Sequence, residues 1–232
     1  MSSADRTLVF TIHEADHSAL REIPLSGLVI AGWTGRDPIA RDKHIVELEE
    51  LGIARPATTP IFYRIAARRL TTSSTIETAG EASSGEVEFV LIQLEGRLFV
   101  GVGSDHTDRK VESYNITVSK QMCDKPIAPE LWAFEEVAPH WDRLVLRSYA
   151  TIGGVRELYQ EGSVAQMLPP LSLIEQGFGA SALPEGVALF GGTLSANGGI
   201  RPSTRFEFEI HDPILRRGIK HNYSVVPLPV LG

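Results

Sequence analysis

At 232 residues, with 43% hydrophobic and 22% charged residues, the chain has the make-up of a globular protein long enough to bury one sizeable core, which excludes a disordered tract. Twenty-nine acidic against 22 basic residues give a formal charge of −7 with no Lys/Arg block, so neither nucleic acid nor an anionic membrane is expected as a partner. Cys123 is the only cysteine, which excludes an internal disulfide and suits a reducing, cytoplasmic setting, and the polar start Met1-Ser2-Ser3-Ala4-Asp5-Arg6 leads into no signal peptide or membrane span.

In chain order, Leu8–Ile12 predicts a first strand in a short N-terminal region, residues 1–26, packed on the core of a single domain. Leu28–Ala31 predicts the next strand. Asp37 then caps a helix whose first turn holds Pro38; Ile39, Ile45, Val46, Leu48 and Leu51 supply its apolar positions and Gly52 its stop. After a strand over Ile61–Ile65, the Thr-, Ser- and Gly-rich stretch from Thr71 to Ser84 carries only Ile76 as a large apolar residue. It is expected to be a mobile surface loop. Val87–Leu94 and Leu98–Gly103 predict a hairpin turned by Glu95-Gly96-Arg97, and Leu144–Tyr149 a later strand. A second helix is expected from Ser163 to Met167, interrupted at Pro169-Pro170 and resuming over Leu171–Gln176. These elements describe a predominantly β, α+β fold with a few short helices.

The hairpin is where the chemistry concentrates. Glu86-Val87-Glu88 places two carboxylates on one face of a strand while Val87, Phe89 and Leu91 take the other. Such a pair also serves as an ordinary charged edge. The return strand, however, ends abruptly in Ser104-Asp105-His106-Thr107-Asp108-Arg109, and the hairpin folds this end back toward Glu86, so Asp105 can complete a three-carboxylate site. Oxygen-only ligands favour a hard ion: Mg²⁺, with Mn²⁺ or Ca²⁺ as alternatives. A polar turn accounts for the same residues. His44 and Glu47, i and i+3 on the Asp37-capped helix, can form an acid-base pair in which the carboxylate orients the imidazole, or a plain surface ion pair. His13, His17, His140, His211 and His221 have no partners at ligand spacing.

The order of motifs resembles the fumarylacetoacetate hydrolase superfamily. Glu86-Val87-Glu88 and Ser104-to-Arg109 look like its Glu-x-Glu and Asn-Asp-x-Ser/Thr-Ala-Arg-Asp segments. Lys120 ahead of Ala128-Pro129 resembles its active-site lysine. Gln166-Met167-Leu168-Pro169-Pro170-Leu171 resembles its Asp-Met-Ile-Phe helix, and Leu189-Phe190-Gly191-Gly192-Thr193 its Thr-Gly-Thr turn. The resemblance covers residues 27–232 and is closest to a bacterial branch of the superfamily. It implies a mixed β-sandwich or β-roll of the fumarylacetoacetase C-terminal-like type that forms a homodimer and holds a metal on Glu86, Glu88 and Asp105. The implied reaction is cleavage of a carbon-carbon bond in a small acylpyruvate-type 2-oxo acid through a metal-stabilised enolate, with hydratase, isomerase or decarboxylase chemistry as the alternative. A non-catalytic ligand-binding protein on the same fold is the rival outside enzymes. The resemblance assigns His44, Glu47, Lys120 and Thr193 to catalysis: His44-Ile45-Val46-Glu47 is similar to the family's water-activating His-x-x-Glu on a lid, and the Thr193 hydroxyl or nearby backbone amides assist Lys120 in stabilising developing negative charge. Trp33, Arg36, Arg109 and Gly192 are its substrate-side positions. Departures from the family pattern, at Gly32–Asp37 and after Thr193, fall around the substrate rather than the metal.

Overall fold

The computed structural model describes residues 6–15, 17–50 and 55–231, with backbone only at residues 44, 47, 48 and 50. An eight-stranded mixed sheet runs in the order His17–Leu25, Arg6–Glu14, Glu130–Ala133, Arg97–Ser104, Val87–Leu94, Val187–Thr193, Gly27–Gly32, Ile61–Ile65. A five-stranded sheet, ordered Val155–Ser163, Val145–Ile152, Arg205–Asp212, Arg217–Leu228, Thr75–Ala79, packs on one of its faces. Phe89, Leu91, Val100 and Val102 of the large sheet meet Phe206, Phe208, Ile210 and Ile219 of the small one in a shared core. Val90, Ile92, Ala188, Phe190, Leu28 and Ile30 point the opposite way, into a second core closed by Phe10, Ile12 and Ile23 of the N-terminal hairpin. Val87–Leu94 is thus buried on both faces, which is why it reads as a nearly unbroken apolar run.

The expected strands are all present, most extended by a residue or more at an end. The hairpin closes more tightly than expected: Leu94 pairs with Arg97, leaving a two-residue turn in which Glu95 (φ 52°) and Gly96 (φ 74°) both take left-handed conformations. The helix Pro38–Glu50 begins where Asp37 caps it, one Asp37 carboxylate oxygen accepting from the amides of Ile39 (2.9 Å) and Ala40 (3.3 Å); Leu51 and Gly52 lie outside the described residues. Around the two prolines the chain forms a 3-10 turn over Val164–Gln166, capped by Ser163, and then a helix that starts on Pro170 and ends at Phe178.

One expectation fails. The Thr71–Ser84 stretch is not a mobile surface loop: Thr75–Ala79 forms a strand, Ser83–Ser84 pairs with Thr107–Asp108, and Ile76, Thr78, Ser83 and Ser84 are buried. The cause is non-local. Thr75–Ala79 lies parallel to the C-terminal strand, Ile76 opposite Val225, and Ile76 fills the core between the sheets. Ser73 and Thr78 donate to backbone carbonyls and Ser84 accepts from Arg109, so the composition of a loop sits inside a sheet edge.

Candidate metal centre

The long hairpin delivers the carboxylates to one end of the second core. Glu86 and Glu88 lie on the face shared with Val90 and Ile92, and the Asp105 amide donates to the Glu86 carbonyl (2.9 Å). One carboxylate oxygen from each of Glu86, Glu88 and Asp105 falls within 4.8 Å of the others. That spacing is what three oxygens sharing one ion with bonds of ~2.1–2.4 Å span, and the all-carboxylate donor set fits a hard divalent cation. Asp105 is fully buried and Glu88 is 2% exposed, while Glu86 opens toward solvent.

Burying three like charges needs compensation, and three cations provide it. The Lys120 ammonium, on the short helix Ile116–Met122, donates to Asp105 Oδ2. Lys125 is completely buried; its ammonium donates to the carbonyls of His106 (2.6 Å), Lys120 (2.6 Å) and Cys123 (3.1 Å) and stands 3.3 Å from Asp105 Oδ1. Arg109 donates through Nε to Ser84 Oγ (2.7 Å) and through NH1 to Glu112 (2.7 Å), with NH2 3.4 Å from Glu86. Burial pushes the Asp105 carboxyl upward, but Lys120 and Lys125 outweigh it and hold the group at about 2. Glu88 goes the other way: burial, and then the Asp105 charge, raise it well above the ordinary carboxylate range. Burial opposes the Lys120 charge, yet the carboxylates more than offset that and raise its pKa. The Lys125 pKa is lowered by burial. His106, directly after Asp105, is driven to about 3 by burial and by Lys125 and Arg109; the neutral ring bonds through Nδ1 to the Tyr223 hydroxyl (2.8 Å).

A buried amide fixes the frame. Gln160 Oε1 accepts from the Val87 amide (2.9 Å), between the two glutamates, and from Ser148 Oγ (2.9 Å). Its Nε2 donates to Thr193 Oγ1 (2.8 Å) and the Leu194 carbonyl (2.6 Å). Thr193 in turn donates its one hydroxyl proton to the Val87 carbonyl (2.8 Å). Through this bond Thr193 staples the Glu-x-Glu strand. The Gly192 amide likewise serves the frame, donating to Glu88 Oε2 (2.7 Å). Its φ of 100° reflects a break in register between Phe190 and Thr193, and a Cβ there would meet Thr34 Oγ1 at 1.8 Å, so only glycine fits.

The other expected positions divide. Arg109 directs all three guanidinium nitrogens at protein groups and supports Glu86. Arg36 is bound bidentately to Asp142 (both 2.9 Å) and to the Met167 carbonyl (2.9 Å); it lines a separate cavity of about 660 Å³ with His140, Trp141 and Pro170. Trp33 sits at φ 57° and hydrogen-bonds Tyr63, whose ring centroid is 5.9 Å from the Lys120 ammonium. The side chains of His44 and Glu47 lie outside the described residues. Of the remaining histidines, His13 pairs with Glu130 (2.7 Å) and His140 with buried Asp212 (3.0 Å). Sequence reasoning passed over Tyr63, Lys125 and Gln160, none of which stands in one of the motifs.

The family described as "Protein of unknown function (DUF2848)" matches residues 31–223. No curated protein matches the sequence. Solved structures share the fold at low identity. Cg1458 superposes with a TM-score of 0.61 at 16% identity, over 98% of this chain and 91% of that one. 2-Keto-3-deoxyarabinonate dehydratase gives 0.62 at 16%, over 90% and 77%. The 2-keto-3-deoxy-D-arabinonate dehydratase complexed with magnesium and 2,5-dioxopentanoate gives 0.61 at 16%, over 94% and 79%.

Proposed function

Since the chain belongs to the DUF2848 family, we propose that this family falls within the fumarylacetoacetate hydrolase superfamily and that the chain is a Mg²⁺-dependent enzyme acting on a small 2-oxo acid. The observation that carries the reading is the convergence of Glu86, Glu88 and Asp105 within 4.8 Å, with the Lys120 ammonium on Asp105. Two neighbours in fold support it, a dehydratase of a 2-keto acid and the same enzyme with magnesium and 2,5-dioxopentanoate.

Glu86, Glu88 and Asp105 would hold the ion, which when bound supplies Lewis acidity and a template for the carboxylate and 2-oxo oxygens. The protein's own groups do the rest. Lys120, kept charged by its carboxylate neighbours, donates to negative charge developing on a substrate oxygen. Thr193 and Gln160 keep the Glu-x-Glu strand fixed under it. His44, oriented by Glu47, is proposed as the base that takes a proton from water. The preferred reaction is hydrolytic carbon-carbon cleavage of an acylpyruvate. Dehydration of a 3-deoxy-2-oxo acid is the second reading, and the dehydratase neighbours favour it. Homodimerisation and a cytoplasmic setting belong to the same proposal; among the described residues no helix is long and apolar enough to cross a membrane.

The test is a Mg²⁺- and Mn²⁺-supplemented screen over acylpyruvates and sugar-derived 3-deoxy-2-oxo acids, with Lys120→Met as the control. Carbon-carbon cleavage that consumes water supports the hydrolase and loss of water the dehydratase; equal turnover by Lys120→Met overturns the assigned chemistry.

A further inference from the structure

One buried aromatic hydroxyl beside the centre has no part in the chemistry above. Tyr63 lies mid-strand in Ile61–Ile65 and is 7% exposed, with Lys120, Glu112 and Asp105 as its charged neighbours. Its ring position is fixed by the adjoining strand. A Cβ on Gly32 would come within 2.9 Å of the Tyr63 ring at Cε2, so the bare glycine lets the ring lie against the strand end. Trp33 follows in a left-handed conformation, φ 57°, that a bulky residue rarely adopts, and its side chain hydrogen-bonds the Tyr63 hydroxyl. An indole N–H can only donate, so the phenol oxygen is the acceptor. Burial keeps the phenol protonated, as a donor.

We propose that Tyr63 is a substrate-binding residue: its phenol and the Lys120 ammonium jointly donate to an oxygen on the distal end of the 2-oxo acid, and Trp33 is the positioning residue that aims the phenol. The inference rests on the 2-oxo acid reading of the centre. A 2-oxo acid anchored through its carboxylate and 2-oxo oxygens at the carboxylate cluster extends the rest of its chain past Lys120. Two donors there, one charged and one neutral, select acids that bear a second oxygen function over those of equal length that end in a methyl group.

Two non-reacting probes separate these cases, 2-oxoglutarate and 2-oxopentanoate, titrated calorimetrically into the full chain saturated with Mg²⁺. The wild type is expected to prefer 2-oxoglutarate. Tyr63→Phe removes one oxygen from a buried ring; it should weaken 2-oxoglutarate about tenfold while leaving 2-oxopentanoate within about twofold, and Trp33→Phe should give a smaller change of the same kind. Thermal unfolding of both variants checks that the fold is kept. Unchanged 2-oxoglutarate binding by Tyr63→Phe, or equal losses for both probes, overturns the role of Tyr63 while leaving the 2-oxo acid reading standing. If neither probe binds the wild type with Mg²⁺, that reading falls and the inference with it.

Discussion

Replacing Gln160 by leucine tests the frame beneath the carboxylates. The side chain is 1% exposed, and its amide serves the Val87 N–H and the Leu194 carbonyl besides two hydroxyls. Ser148 and Thr193 can rotate their hydroxyls to other uses; the two backbone groups cannot move without disturbing their strands. Each buried polar group left without a partner costs ~1–3 kcal/mol, so the variant should lose about 4 kcal/mol. At ~2–4 °C per kcal/mol for a chain of this size, the melting temperature should fall by about 10 °C. Because the Val87 amide lies between Glu86 and Glu88, Mg²⁺ affinity should fall as well, by the ~10–100-fold that supporting partners of metal ligands typically contribute. Calorimetric unfolding with and without Mg²⁺, with Gln160→Glu as a comparison that keeps the acceptor toward Val87, gives both numbers. A Gln160→Leu variant that melts within about 2 °C of the wild type and binds Mg²⁺ equally well refutes the argument.

The charges of the centre predict a pH dependence of definite sign. Asp105, lowered to about 2 from its ordinary 3.8, contributes stability that is present above 3.8 and lost as pH falls through about 2. Glu88, raised above its ordinary 4.5, contributes stability present below 4.5 and lost as pH rises through its folded value. From these two groups the metal-free protein is most stable near pH 4, and the rise in melting temperature on adding Mg²⁺ should be larger at pH 8 than at pH 5; an equal or larger rise at pH 5 contradicts the Glu88 assignment. In the hairpin turn, Glu95→Asn should raise stability by ~0.5–1 kcal/mol, because asparagine tolerates the left-handed backbone that Glu95 adopts at φ 52°. Chemical unfolding measures it, and a destabilised variant argues against the turn geometry.

What was legible in the sequence was local. The hairpin and its carboxylates could be read because a period-two pattern, a turn and a return strand lie within some twenty residues, and the helix start because Asp37 and Pro38 are adjacent. The strand at Thr75–Ala79 could not, since its partner is the C-terminal strand and its polar composition imitates a loop. Thr193 and Arg109 were placed in the neighbourhood of the carboxylates. Motif order locates a residue but does not say where its protons point, and here the Val87 carbonyl, Ser84 and Glu112 take them. The partner of the Arg36 guanidinium, Asp142, lies on a remote segment and was likewise not legible. Lys125 stands in none of the motifs, yet three carbonyls and Asp105 enclose it.

The central claim is that Glu86, Glu88 and Asp105 hold a divalent ion, and isothermal titration of Mg²⁺ and Mn²⁺ into the purified chain measures it directly. Saturable binding of one ion per chain is expected, weakened at least about a hundredfold in Glu88→Gln and in Asp105→Asn, since loss of a ligand should exceed the loss of an outer-shell partner. A wild-type protein that binds neither ion, or a Glu88→Gln variant that binds Mg²⁺ as tightly as the wild type, contradicts it.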